Sequence, residues 1–139
     1  MAATPETHRE FRRQPFYTHT MRTYTIESPN GTLRLVLQTA TYAAMPHNQR
    51  PLAIVAREEN PEYPDETYGI VTVNMDPHTG LEDQTGNRAF VKTYGENSHW
   101  VPELMRQLEE SGAAVRTGRY LENGRGVVFP LYEFRPELL

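Results

Sequence analysis

Apolar residues alternate with polar ones along most of this chain, and only one segment has the spacing of a helix. Leu33, Leu35 and Leu37 recur at every second position, with Arg34 on the opposite face. A period of two is typical of a strand that buries one face. An Asn-Gly pair, a strong hairpin-turn signal, separates this segment from another alternating one at 20–27. The sequence therefore predicts an antiparallel hairpin at the start of the folded region.

Further strands are predicted downstream of this hairpin. Residues 52–56 form a short continuous apolar run, which suits a strand buried on both faces. Residues 68–75 alternate and are rich in β-branched side chains, which predicts a central strand. Shorter strands are predicted at 89–94, 114–120 and 127–134. Pro130 lies in the last of these and makes it an edge strand or a bulged one.

The helix is predicted over residues 98–111. Asn97 or Ser98 is expected to cap its start, Pro102 fits its first turn, and Gly112 is placed to end it. Its apolar side chains recur at helical spacing and form one stripe: Trp100, Val101, Leu104, Met105 and Leu108.

About seven strands and one helix, mostly joined by short links, predict an α+β fold. We expect a curved, mostly antiparallel sheet of about six to seven strands with the helix packed on one face. A small barrel plugged by the helix is the alternative. The length of 139 residues suits one domain. Residues 1–16 lack periodicity and predict a flexible N-terminal arm, which leaves 17–139 as the single domain.

No motif for catalysis, metal binding or cofactor binding accompanies this fold. The chain has no cysteine, so it lacks a thiolate nucleophile and Cys-ligated zinc. Its five histidines include no pair at the spacing of a helical zinc site, and its three serines form no nucleophile elbow. The segment 76–87 resembles a calcium loop only faintly, since it lacks the acidic residue at its last position. We therefore expect a non-enzymatic protein without a metal or cofactor.

The sequence also bears on where the protein works. It contains no apolar run of the length needed to cross a bilayer, and the first sixteen residues include no apolar stretch of a secretory signal. Together with the absence of cysteine, these features predict a cytoplasmic protein that does not bind membranes.

The acidic residues are placed unevenly. Between Glu58 and Asp83 the chain carries eight acidic residues and no lysine or arginine, whereas the rest has ten acidic residues against fourteen basic ones. A block of one sign can steer and select a partner of the opposite charge. The alternative is a pair of solvated loops that keep the protein soluble. The predicted protein-binding residues are Glu58, Glu59, Glu62, Asp65, Glu66, Glu82 and Asp83.

The expected partner is a basic protein. The most specific form of this hypothesis is a nucleic-acid-binding complex, because spaced carboxylates can occupy a channel that binds phosphates. Direct binding of nucleic acid is not expected, since the arginines are dispersed and the pI is about 5.7. The second hypothesis is a small enzyme or ligand-binding domain with a cleft beside the helix. Its nearest polar candidates are Tyr94, Glu96 and His99. A regulatory subunit of plasmid maintenance is a third hypothesis.

A series of short motifs occurs in order along about 85% of the chain. They are Tyr24-Thr25-Ile26, Thr72-Val73-Asn74-Met75, Ala89-Phe90-Val91 with Thr93, Thr117-Gly118 and Pro130-Leu131-Tyr132-Glu133-Phe134. In these motifs the chain resembles a family of short proteins of unknown function from Gram-positive bacteria, plasmids and prophages. It departs from the family at Lys92 and Tyr94, where an acidic residue and an asparagine would be expected.

The family has no established activity, so the resemblance transfers no role to any residue. It implies a context, namely the accessory genes of a mobile genetic element such as a phage or plasmid. That class includes anti-restriction and anti-CRISPR inhibitors of host defence. Many inhibitors of that class are small, acidic, non-catalytic binders, which is consistent with the charge pattern, so the sharpest expectation is a stoichiometric inhibitor.

Overall fold

The computed structural model describes residues 11–13, 22–42, 52–59, 67–73 and 86–139. The strands of these ranges are β1 (Phe11–Arg13), β2 (Thr23–Ser28), β3 (Gly31–Tyr42), β4 (Leu52–Glu58), β5 (Gly69–Ile70), β6 (Thr72–Val73), β7 (Arg88–Val91), β8 (Ala114–Glu122) and β9 (Val128–Phe134). The one α-helix of these ranges is α1 (Val101–Ser111), and short 3-10 helices span Gly95–His99 and Pro136–Leu138.

The strands form two sheets, and every described strand pair is antiparallel. In the first sheet β3 is central, with β1 and β2 along one edge, β4 along the other, and β5 beyond β4. In the second sheet the order is β6-β7-β9-β8. The predicted α+β class with mostly antiparallel strands is therefore confirmed. The expectation of one sheet of six to seven strands is wrong, because the strands divide between two sheets.

The division occurs inside the strand predicted at 68–75. β5 pairs with β4 in the first sheet, whereas β6 pairs with β7 in the second. Between them, the Val71 N–H donates to the Ile54 carbonyl at 2.9 Å, and the Val71 carbonyl accepts from the Lys92 N–H at 2.9 Å. The Ile54 N–H donates to the Thr72 hydroxyl at 3.1 Å. One stretch of chain thus passes from sheet to sheet at Val71, with the N–H and the carbonyl of Val71 both paired.

Strand β4 is buried on both faces, as its apolar run predicts. Ile54 and Ala56 face the main core, and Ala53 and Val55 belong to a separate cluster on the opposite face. All four are at most 2% exposed. The end of this strand, at Glu58, is where it reaches the surface.

The apolar stripe of α1 is buried against the sheets, as predicted. Trp100, Leu104 and Leu108 are at most 2% exposed and share one core with Tyr24, Leu35 and other sheet residues. Fully burying a side chain of this size contributes about 1.5–3 kcal/mol.

The end of α1 follows the prediction. Gly112 ends the helix with φ of 82°, a left-handed conformation that glycine adopts readily. The Gly112 N–H donates to the Glu109 carbonyl at 3.1 Å and the Ala113 N–H to the Leu108 carbonyl at 2.8 Å. This pair of bonds is a Schellman motif.

The start of α1 does not follow the prediction. The N-cap residue is Trp100, no side chain caps the helix, and the 3-10 helix Gly95–His99 precedes it. The Ser98 hydroxyl donates to the Gly95 carbonyl at 2.7 Å. Asn97 is only 5% exposed, and its amide donates to the carbonyls of Ile70 at 2.9 Å and Lys92 at 3.2 Å. Asn97 therefore ties the two sheets together beside Val71 instead of capping the helix.

The irregularity predicted from Pro130 falls on the neighbouring strand. β9 is internal, between β7 and β8, so it is not an edge strand. The register between β8 and β9 shifts between Arg116 and Tyr120, and the Thr117 hydroxyl donates to the Leu131 carbonyl at 2.8 Å within this bulge. The described pairing of β7 with β9 extends only as far as Leu131, so the missing N–H of Pro130 falls just past that ladder.

Part of the segment predicted as a flexible arm is paired in the structure. Residues 11–13 form β1, which lies against residues 40–42 of β3. The rest of residues 1–16 lies outside the described residues.

We predict that Asn97→Ala lowers the free energy of unfolding by about 1–3 kcal/mol, because two buried carbonyl oxygens lose their donor. Asn97→Asp should cost more at neutral pH, since its carboxylate would face both oxygens. That setting raises the pKa of the new carboxyl, so its deficit should shrink as the pH falls and the group becomes protonated. Urea unfolding at pH 7 and pH 4 measures both effects.

The matched control for Asn97 is Ser98→Ala, which removes an exposed hydroxyl and its hydrogen bond to the Gly95 carbonyl. An Asn97→Ala variant no less stable than this control would contradict the assigned role.

Candidate functional site

Two of the predicted binding residues lie in the described ranges, and they face different surroundings. Glu59 accepts hydrogen bonds from the Thr23 hydroxyl at 2.6 Å and from Arg34 Nε at 2.8 Å. The Thr23 hydrogen bond, and then Arg34, lower the pKa of the Glu59 carboxyl. Glu59 is therefore already paired within the protein.

Glu58 is exposed and forms no ion pair with another described residue. Because successive strand residues point to opposite faces, Glu58 shares the face of Ile54 and Ala56, on which α1 packs. Tyr68 lies on this same face: its N–H donates to the Ala56 carbonyl at 2.8 Å and its ring packs against the core. Burial raises the pKa of Tyr68, and the charge of Glu58 raises it further. Among the described residues the Glu58 carboxylate thus has no ion-pair partner, and it shares its face of the sheet with Tyr68.

The ring of Tyr68 is held in place by the residues before α1. It meets Trp100 edge-on, with ring centroids 5.3 Å apart, and its hydroxyl lies 3.2 Å from His99 Nε2. Trp100 in turn lies directly over Gly69, where a Cβ would stand 2.6 Å from Trp100 Cζ2. We call Glu58, Tyr68 and His99 the Tyr68 surface. It combines an exposed carboxylate, a fixed and partly exposed ring, and an exposed imidazole.

The other predicted binding residues lie outside the described residues: Glu62, Asp65, Glu66, Glu82 and Asp83. The first three belong to the segment that joins Glu59 to Thr67. Glu82 and Asp83 belong to the segment that joins Val73 to Gly86. Thr67 and Val73 are opposite ends of one stretch of chain, up to about 20 Å apart at ~3.3 Å per residue. The described residues that border the first segment, Glu59 and Thr67, are the sequence neighbours of Glu58 and Tyr68.

A cleft of about 340 Å³ opens between α1 and the β8–β9 hairpin. Its lining is Thr93, Pro102, Met105, Arg106, Glu109, Arg116, Pro130 and Tyr132. The second hypothesis from the sequence expected a cleft beside the helix, but none of its three candidates lines this one. His99 contacts Tyr68, Glu96 is exposed, and Tyr94 packs edge-on against Phe129 at 5.4 Å.

The polar groups of the cleft are occupied with one another. Glu109 accepts hydrogen bonds from Arg116 Nε at 2.8 Å and from the Tyr132 hydroxyl at 3.0 Å. Burial, and then the hydrogen bond to Glu109, raise the pKa of Tyr132 to about 12. The Arg116 guanidinium lies 5.8 Å from the centre of the Tyr132 ring. Tyr132 therefore keeps its proton near neutral pH, where a general acid or base needs a pKa close to the working pH.

The side chain of Arg106, which also lines the cleft, is held by ion pairs. It pairs with Glu103 at 2.6 Å and with Glu110 at 2.8 Å along the surface of α1. Hydrogen bonds from Arg106 and then Gln107 lower the pKa of Glu103 to about 2. These exposed pairs contribute little to stability, but they fix the direction of the Arg106 side chain.

The described residues offer little else that points to chemistry. They include no group of three or more side chains able to hold a metal ion. Within the same ranges, no helix has both the length and the apolar character needed to span a bilayer.

No protein-family model, no curated protein and no solved structure matches this chain. The resemblance carried by the short sequence motifs therefore stays a prediction.

The raised pKa of Tyr132 predicts a loss of stability at alkaline pH. The folded-state value of about 12 lies above the ordinary value of about 10, so the folded state holds the phenol proton more tightly. This contribution is fully present below pH 10 and is lost as the pH rises through 12. Over this range of pH, we expect the free energy of unfolding to fall by roughly 1–3 kcal/mol more in the wild type than in Tyr132→Phe. Urea unfolding at pH 9, 10 and 11 measures the difference.

Tyr120→Phe is the control, because Tyr120 is 62% exposed. If both variants show the same dependence on pH, the hydrogen bond from Tyr132 to Glu109 does not have the assigned effect.

Proposed function

We propose that this protein is a non-enzymatic binding protein that docks a basic protein partner at the acidic end of β4. The observation that carries the proposal is Glu58, an exposed carboxylate without an ion-pair partner among the described residues, placed beside a fixed aromatic ring. Aromatic residues that present a rigid ring are frequent energetic centres of protein interfaces. The sequence adds three further carboxylates, and no basic residue, between Glu59 and Thr67.

Charge gives this surface its selectivity. Exposed carboxylates attract a basic partner and speed its association, but the attraction is screened over a Debye length of ~8 Å at physiological salt and ~3 Å at 1 M. The acidic segment therefore favours a partner whose own surface is densely positive. A protein that binds nucleic acid has such a surface, and carboxylates in its channel would block access by the phosphate backbone.

The sharpest version of the proposal is a stoichiometric inhibitor of a host nucleic-acid-processing defence complex. Its support is the resemblance to proteins of mobile genetic elements, together with the concentration of acidic residues in one part of the chain. An inhibitor of this kind needs a surface and no catalytic centre, which agrees with the paired state of the polar groups in the cleft.

The test is capture of partners from a lysate of the native host at low and high salt. The test variant removes four charges and leaves Glu59 in place, because Glu59 pairs with Arg34. It is Glu58→Gln, Glu62→Gln, Asp65→Asn and Glu66→Gln. We expect the wild type to retain a basic protein at 50 mM salt and to release it at 500 mM, and the variant to retain at least tenfold less, with an unchanged melting temperature.

A matched control removes the same number of charges from exposed positions elsewhere. It is Glu27→Gln, Glu110→Gln, Glu122→Gln and Glu137→Gln, and it should capture the partner as the wild type does. Equal capture by the test variant, or no basic partner at either salt, would refute the proposal.

The cleft supports a second candidate function, a small ligand-binding domain or enzyme. Its volume of about 340 Å³ lies at the small end of the range for ligand sites. This candidate predicts that some compound in a metabolite extract of the host is retained or consumed, as measured by mass spectrometry. Thr93→Trp, which fills the cleft from its rim, should abolish that effect. If no compound in the extract is retained or consumed, this second candidate function is refuted.

A further inference from the structure

We infer that Glu58 and Tyr68 together form a recognition point for a single arginine side chain of the partner. The inference rests on the proposed function and names the chemistry at the centre of that surface. The juxtaposition behind it is an exposed carboxylate, without an ion-pair partner in the part of the chain that the structure describes, and a partly exposed phenol ring on the same face of the sheet.

The ring is fixed from two sides before any partner arrives. Trp100 meets it edge-on at 5.3 Å, and the hydroxyl lies 3.2 Å from His99 Nε2. Trp100 is itself 2% exposed and packed over Gly69, so the ring rests on the core. A partner that contacts Tyr68 therefore loses little side-chain entropy on the side of this protein.

The carboxylate belongs to a residue that lies near Tyr68 along the paired strands, and no described residue forms an ion pair with it. The Tyr68 N–H donates to the carbonyl of Ala56, two residues before Glu58, and two strand residues span only about 7 Å. Glu59 is occupied on the opposite face by Arg34 and Thr23, so it does not compete with Glu58 for a ligand. A ligand at this site would therefore meet one carboxylate, that of Glu58, and one aromatic ring, that of Tyr68.

A guanidinium fits these two groups better than an ammonium does. It is planar, so it can stack on an aromatic ring while its edge donates two parallel hydrogen bonds to a carboxylate. A lysine ammonium can use either group, but as a compact point charge it gains less from both together. Anions are excluded by the charge of Glu58. A metal ion is disfavoured because the site supplies too few oxygen or nitrogen ligands.

The experiment titrates the full-length protein with three acetylated peptides at 50 mM salt and follows backbone amide shifts by NMR. One peptide carries three arginines separated by glycines, and the other two carry lysine or citrulline in their place. Citrulline keeps the planar shape but not the charge. We expect the arginine peptide to shift the signals of Glu58, Tyr68 and His99 and to bind at least about threefold more tightly than the lysine peptide. The citrulline peptide should cause no shifts.

Variants separate the two groups. Glu58→Gln should weaken the arginine peptide about fivefold or more, because a charged hydrogen-bond acceptor is lost. Tyr68→Leu should abolish the preference for arginine over lysine, whereas Tyr68→Phe, which keeps the ring, should retain it. Since Tyr68→Leu also alters packing on Trp100, the Phe variant and Glu58→Gln keep the inference testable if the Leu variant does not fold.

The outcomes distinguish this inference from the proposed function. Equal binding of the arginine and lysine peptides, or shifts confined to other residues, would overturn the arginine site. The acidic docking surface would still stand if partner capture depends on the four carboxylates. If capture does not depend on them, the proposed function fails whatever the peptides show.

Discussion

The buried junction at Val71 positions the residues of the Tyr68 surface and the start of α1. There the chain leaves one sheet and enters the other, and Asn97 donates to a carbonyl on each side of the junction. The same contact fixes the segment Gly95–His99 against the sheets, and with it His99 and the start of α1. An unpaired carbonyl at this depth would cost about 1–3 kcal/mol, so the junction depends on this one side chain. Tyr68 and Glu58 come together because the chain turns back to β4 just before the junction.

Charge pairing separates structural acidic residues from available ones. Glu59, Glu103, Glu109 and Glu110 each contact an arginine, and exposed pairs of this kind add at most about 1 kcal/mol to stability. Glu58 has no such contact among the described residues. Within the acidic block it therefore differs from its neighbour Glu59, which pairs with Arg34.

Local sequence patterns predicted the elements of this fold better than their arrangement. The helical stripe, the stop at Gly112 and the double-sided burial of 52–56 follow from periodicity and turn chemistry, which act over a few residues. The passage between sheets at Val71 does not, because the β-branched residues continue through it without a turn signal. Asn97 looked like a helix cap because its side chain suits one. Its side chain instead donates to the carbonyls of Ile70, which is distant in the sequence, and Lys92, which lies outside the helix. No local sequence pattern indicates either partner.

The candidate site shows the same limit. Composition identified Glu58 and Glu59 as members of an acidic block, but it could not tell that strand alternation sends them to opposite faces with different neighbours. The cleft residues Glu109, Arg116 and Tyr132 meet only through the packing of α1 on the β8–β9 hairpin, so their spacing in the sequence carries no signal. Residues 52–56 form a continuous apolar run, so the sequence does not indicate which face of the strand Glu58 shares. Its place on the helix side follows from the pairing of β4 with β3, in which Glu58 lies opposite the core residue Leu35.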